Sequence, residues 1–312
     1  MENSRNIIDE KILDALSPLI FAQNFFLFPK FMITERCIAP IAPRSYTSSF
    51  VGAVLMLLIR IYRLVTVCFY NYFGENSDAL LLANFVVGCF GTIFSYVINV
   101  VQSANAVYMV IELQEALWCL SSNIKQSLSD YKFWNIVNIA CIFGGYILYT
   151  GLFGVANQET HGEASFLVSH LVSITYDLNI ILATRTVILT ASILEAWNSK
   201  MSEILSEETE VRENCSQDMF SAYEKIINAF NLCKKAYQFG IFYHTFQTFH
   251  SILYSMQLFL EYAKSASHEE LKVFGLLRGV TYFAWNSKNF LLLVNVSVAC
   301  ERFYAALRDA ET

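Results

Sequence analysis

The stretch ALLLANFVVGCFGTIFSYVINVVQ, residues 79–102, decides how this chain folds. It carries no Asp, Glu, Lys or Arg over its whole length. As an α-helix it is about 36 Å long, enough to cross the ~30 Å hydrocarbon core of a bilayer. Five further stretches qualify as helical spans: about 48–70, 133–154, 165–190, 238–263 and 273–300. The expected fold is therefore all-α, a polytopic membrane helix bundle with six transmembrane helices.

Composition leads to the same place. Of 312 residues, 55% are hydrophobic, 15% aromatic and only 15% charged. A soluble domain carries about 25% charged residues, so too little charge is present to cover a water-facing surface. The net charge of −6, with no basic face apparent, argues against nucleic acid as a partner. The eight cysteines are scattered without a C-x-x-C pair, which suggests neither a disulfide framework nor a zinc site. The N-terminus MENSRNIIDEKILDAL has no basic region leading into an apolar core, so no signal peptide is visible.

Lys and Arg bias sets orientation. The segment before the first span, 1–46, holds Arg5, Lys11, Lys30, Arg36 and Arg44. The connections 71–78 and 155–164 hold no Lys or Arg, whereas the long connection before the fifth span holds Lys200, Arg212, Lys225, Lys234 and Lys235. The alternation places the N-terminus in the cytoplasm. The second span should run on through VYMVIELQEALWCL to about residue 120, and the fourth through SILEAWNSKMSEIL to about 205. Both tails are amphipathic, as expected of helices leaving the membrane into water. The outer connections are short, so an external ligand has to enter between the helices.

Ionisable residues at membrane depth are costly and usually face the bundle interior. The candidates are Arg60 and Arg63 in the first span, Asp177 and Arg185 in the fourth, and Arg278 and Lys288 in the sixth. For the arginines the ordinary reading is structural, pairing with an acid or a carbonyl or extending to the interface. His170 and Asp177 lie two helical turns apart and share a face, which suits a ligand contact or a helix–helix hydrogen bond. Aromatics gather near the outer ends of the spans, where an interfacial belt is the ordinary explanation. Tyr146, Tyr176, Tyr254 and Trp285 are too deep for a belt, and an apolar cavity with a few polar groups is the usual small-molecule site. Gly144 and Gly145 lie within a span, where small residues let helices approach closely. Zincin, nucleophile-elbow, P-loop and dinucleotide-binding motifs are absent, so no enzyme and no cofactor is expected. Gly/Pro-broken spans at matching positions, the mark of inverted-repeat transporters, are also missing.

Two stretches carry a resemblance. AFNLCKKAYQFGIFYHTFQTFHSILYSMQLFLEY (229–262) and KNFLLLVNVSVACERFY (288–304), ending on Cys300, Glu301, Phe303 and Tyr304, look like the fifth helix and the end of the sixth in insect gustatory receptors. The large receptor sets of moths and butterflies are the nearest likeness. The resemblance implies a plasma-membrane chemoreceptor subunit with a cytoplasmic N-terminus. Four subunits, alike or mixed, would surround a cation pore lined by their seventh helices. A small tastant, a sugar or a bitter plant compound, would bind among the second to sixth helices. Members of that family carry Thr-Tyr, five mostly apolar residues and Gln-Phe in the seventh helix. Here Thr281-Tyr282 is followed by FAWNSKNF, without Gln-Phe at that spacing and within the sixth span.

We expect the 312 residues to form a single receptor-like membrane domain, with 301–312 the start of a cytoplasmic connector and the seventh helix missing. That expectation treats the sequence as an incomplete gene model or splice product. The ligand is expected among Tyr146, His170, Asp177, Tyr254, Gln257, Trp285 and Lys288, polar or aromatic residues at outer-half depth. A secondary transporter or a non-conducting regulatory membrane partner is the competing reading.

Overall fold

The structure is a computed structural model that describes residues 7–34, 36–41, 43–70, 78–120, 125–156, 163–206, 209–265 and 269–311. Within these ranges the side chains of 43–45, 66–70, 78–81, 125–127, 153–156, 163–172, 209–216, 258, 261–265 and 269–278 lie outside the description. The short connections expected near 71–78, 155–164 and 264–272 fall largely in the undescribed parts.

Eight helices form the described chain: α1 (Glu10–Phe25), α2 (Pro43–Tyr70), α3 (Asp78–Val101), α4 (Ser103–Leu120), α5 (Lys125–Ala156), α6 (Glu163–Leu205), α7 (Thr209–Ser265) and α8 (Glu269–Glu311). A small antiparallel hairpin, β1 (Met32–Thr34) with β2 (Cys37–Ala39), sits between α1 and α2, with Met32 opposite Ala39. Five helices are long and apolar enough to cross a membrane, through Tyr46–Val65, Leu82–Val101, Leu128–Leu152, Ser173–Leu205 and Gly279–Glu311. The fold is a helical membrane bundle. The fifth expected span, 238–263, lies inside the unbroken helix α7 but falls short of that apolarity. Gln238, His244, Gln247, His250 and Gln257 dilute it.

Neighbouring long helices run antiparallel, as short connections require. Arg60 of α2 meets Thr92 of α3, Tyr146 of α5 meets Asp177 of α6, and Ser251 of α7 meets Asn286 of α8. One end of the bundle, the loop end, holds the C-termini of α2, α5 and α7. At the opposite end α4, α6, α7 and α8 continue as a stem. The second span passes into α4 through Gln102, where the hydrogen-bond ladder carries on from Ile98 O to Gln102 N and from Gln102 O to Ala106 N. The fourth runs to Leu205 as one helix, as the sequence suggested. In the stem Trp197 Nε1 donates to Met219 O at 2.7 Å, and Lys225 pairs with Glu115. Phe303 is fully buried there, stacked on Phe230 with ring centroids 3.8 Å apart. Of the other residues in the Cys-Glu-x-Phe-Tyr stretch, Glu301 and Tyr304 are exposed and Cys300 is half-buried. Burial of Phe303 gives that stretch its described structural role.

α6 is the central helix. Its apolar window is 72% buried, whereas the other four windows are 17–28% buried. Three of its threonines bond within the helix: Thr184, Thr186 and Thr190 each donate to the carbonyl four residues back at 2.8 Å. That satisfies a polar group where no water is present. The outer helices show the complementary pattern, an apolar stripe turned outward. On α2 it is Phe50, Val54, Leu58, Ile61, Tyr62 and Val65, at helical spacing. An exposed stripe of that kind is tolerable against lipid and costly against water.

α1 is part of the bundle. Asp9 caps its first turn by accepting from Lys11 N at 2.8 Å. Pro18 sits inside the helix and removes the N–H that Asp14 O would receive; Ser17 Oγ donates to that carbonyl instead, at 2.9 Å. The helix runs along α5, with Lys132 bonded to Asp14, Asn135 to Ala15 O, and Phe26 stacked on Phe143. Gly144 and Gly145, expected at a close helix contact, instead face outward, and a Cβ on either would meet nothing within 4 Å. Close approach occurs at Gly91 of α3, where a Cβ would lie 1.9 Å from Tyr243 Oη.

Candidate functional site

Four helices converge on Asp177, which is 2% exposed on the central helix. Tyr146 Oη of α5 donates to its Oδ2 at 2.9 Å. Lys288 Nζ of α8 pairs with the same oxygen. His244 Nε2 of α7 lies 3.3 Å from Oδ1. An ionised carboxylate only accepts, so Nε2 is the protonated nitrogen of His244. Thr248 Oγ1 donates to His244 O at 2.8 Å and lies 3.4 Å from the other ring nitrogen. Lys288 is also caged by rings, 3.9 Å from the centroid of Trp285 and 4.7 Å from that of Tyr146. Three donors thus compensate one buried charge, and a cation is held by one carboxylate and two π faces.

Towards the loop end this cluster adjoins a cavity of about 70 Å³. Six helices line it: Arg60 and Arg63 of α2, Asn84 and Gly88 of α3, Tyr149 of α5, Ser173 of α6, His250, Ser251 and Tyr254 of α7, and Tyr282, Trp285 and Asn289 of α8. Trp285 links the two features. Its ring lies 5.2 Å from that of Tyr146 in the cluster and 4.7 Å from that of Tyr149 in the cavity wall. A clasp between α7 and α8 sits beside it, in which Ser251 Oγ donates to Asn286 Oδ1 at 2.8 Å and Asn286 Nδ2 to Ser255 Oγ at 2.9 Å.

Of the expected ligand residues, Tyr146, Asp177, Trp285 and Lys288 come together, and Tyr254 lies buried in the cavity wall. Gln257 does not join them. It is exposed, because three residues on from Tyr254 the helix surface has turned away from the cavity. The side chain of His170 lies outside the described residues; among those described, His244 pairs with Asp177. Arg185, a candidate functional cation, is structural. It donates to Asn135 Oδ1 at 2.7 Å and to Tyr131 O at 3.2 Å, and lies over the Tyr131 ring. The missed residues, His244, Thr248, Ser251 and Ser255 among them, form a polar stripe at steps of three and four along α7. That periodicity was the available signal.

The carboxylate and the amine balance each other, with Tyr146 and His244 as further donors to the acid, and among the described residues no group of three or more His, Cys, Asp or Glu could hold a metal ion. No protein-family model matches the chain, and no curated protein matches it.

Proposed function

We propose that this chain is a chemoreceptor subunit of the insect gustatory type, sensing a small tastant within its helix bundle and gating a cation channel as part of a tetramer. On this reading it is a six-span plasma-membrane protein with a cytoplasmic N-terminus, α7 supplying the fifth span. It is not an enzyme. The observation that carries the proposal is the cavity shared by six helices and joined through Trp285 to a buried ion pair. Ligand sites for drug-sized molecules occupy roughly 300–1,000 Å³. The cavity here, at about 70 Å³, admits only a small group. A sugar or a plant compound entering it would have to part the helices, and parting α7 from α8 strains the Asp177–Lys288–His244 cluster. Binding is thereby coupled to a movement of the stem, as a receptor requires.

The test is ligand-evoked current in cells that express the chain with and without other receptor subunits, across a panel of sugars and bitter compounds. Trp285→Ala and Tyr254→Ala should shift the concentration dependence of any response. Saturable uptake of a labelled solute without current would replace this reading with a carrier.

A further inference from the structure

A second cavity, of about 20 Å³, lies where α3, α6 and α7 meet the segment that joins α1 to β1. We propose that it is a site for a monatomic anion, a halide such as chloride, held by Lys30 and Asn99. The proposal does not depend on the receptor reading. Lys30, in the joining segment, is 2% exposed, and Asn99 of α3 is 3% exposed. Lys30 Nζ donates to Asn99 Oδ1 at 2.9 Å and stands 5.0 Å from the centroid of the Tyr237 ring. An ammonium only donates, so the amide oxygen of Asn99 has to face it, and Nδ2 is turned the other way. That Nδ2 is enclosed and has no hydrogen-bond partner among the described residues.

The described residues lining the cavity include no Asp or Glu; besides Lys30, Asn99 and Tyr237, its polar groups are Ser95 of α3 and Asn179 of α6. Asn179 Oδ1 already accepts from Gln23 Nε2 at 3.2 Å. Desolvation draws the lysine down to a pKa of about 7, opposed among the described groups by the Cys233 thiol. A buried charge is costly unless it is paired and hydrogen-bonded, so the site lacks an acceptor that is also negative. Size narrows the choice. A single water needs roughly 10–15 Å³, and a cavity of about 20 Å³ is too small for a carboxylate, phosphate or sulfate. A water would accept from Nζ and Nδ2 but leave the charge unbalanced. A halide, little larger than water, accepts from both and cancels it. Once bound, it would tie the segment carrying Lys30 to α3.

The test is thermal unfolding of the full-length protein in detergent micelles, followed by Trp fluorescence, in sodium chloride and in sodium gluconate at one ionic strength, so that screening is equal. Chloride should raise Tm saturably, by roughly 2–4 °C at ten times its Kd, and gluconate, too large for the cavity, should not. Lys30→Met should abolish the response. Asn99→Asp should abolish it too, because that variant supplies the missing negative charge from the chain itself. Chloride favours the ammonium over the amine, so its Kd should rise about tenfold per pH unit above 7. The other described titratable groups facing Lys30 are Cys233 and Tyr237 of α7, and burial raises both out of that range. In gluconate, stability should climb above pH 7, since the unfolded lysine keeps a proton that the folded one has lost; chloride should flatten that climb. Chloride NMR lines broadened by the wild-type protein and by neither variant would locate the ion. Equal Tm in chloride and gluconate means that water alone fills the cavity and overturns the proposal, as does a chloride response that survives Lys30→Met. No current is read in these measurements, so neither result bears on the receptor reading.

Discussion

Replacing Asp177 by Asn removes the charge at the centre of the bundle while keeping its shape. The carboxylate is 3% exposed, and its partners are Tyr146 Oη at 2.9 Å, His244 Nε2 at 3.3 Å and Lys288 Nζ. Removing one member of a buried pair costs about 3–5 kcal/mol, because the other charge is left uncompensated. Here the stranded cation keeps two aromatic faces, worth about 0.5–2 kcal/mol, and its side chain is 20% exposed. The cost of Asp177→Asn should therefore fall near the low end, about 3 kcal/mol. Lys288→Met should cost about 2 kcal/mol, since Asp177 retains two donors. The double variant leaves no unpaired charge and should cost less than the sum by about 2 kcal/mol. Reversible unfolding in mixed detergent micelles, followed by circular dichroism, measures all three. Additive costs, or an Asp177→Asn cost below about 1 kcal/mol, would refute the view that this cluster ties α5, α6, α7 and α8 together.

Two further outcomes test the packing and the electrostatics. Gly91→Ala should destabilise by about 1–3 kcal/mol, since the new methyl meets the Tyr243 ring that bridges α3 and α7, whereas Gly144→Ala should be neutral or slightly stabilising; equal effects in the same unfolding assay would show that the α3–α7 contact is not tight. Lys30, between α1 and β1, is buried against Asn99 Oδ1 at 2.9 Å and the Tyr237 ring, and desolvation brings its pKa down to about 7. The unfolded chain, with an ordinary lysine near 10.4, binds one more proton between those values, so stability should climb between pH 7 and 10 with a slope approaching ~1.4 kcal/mol per pH unit. Lys30→Met should be the more stable near pH 7 and lose that slope; an unchanged profile would place the titration elsewhere.

The helices and their faces were legible along the chain because a bilayer imposes a length and a polarity that composition must meet. Residues 79–102 and four other stretches meet them without reference to any neighbour, and the amphipathic tails after spans two and four signalled a helical stem in the same way. The depth of Tyr146, Asp177, Trp285 and Lys288 was visible too, since a charge or a large ring in mid-span is conspicuous. Which of them touch was not. Asp177 shares a helix face with His170, yet it bonds His244 from α7, sixty-seven positions away in sequence. Arg185 read as structural from the sequence, but its partners, Asn135 and the Tyr131 carbonyl, were not legible there, and the glycines that looked like a helix contact turned outward while Gly91 took that part. Periodicity reports how a helix is turned relative to its own axis. It carries no information on which other helix fills the facing groove, and that choice, made by packing around α6, decided the cluster and the cavity.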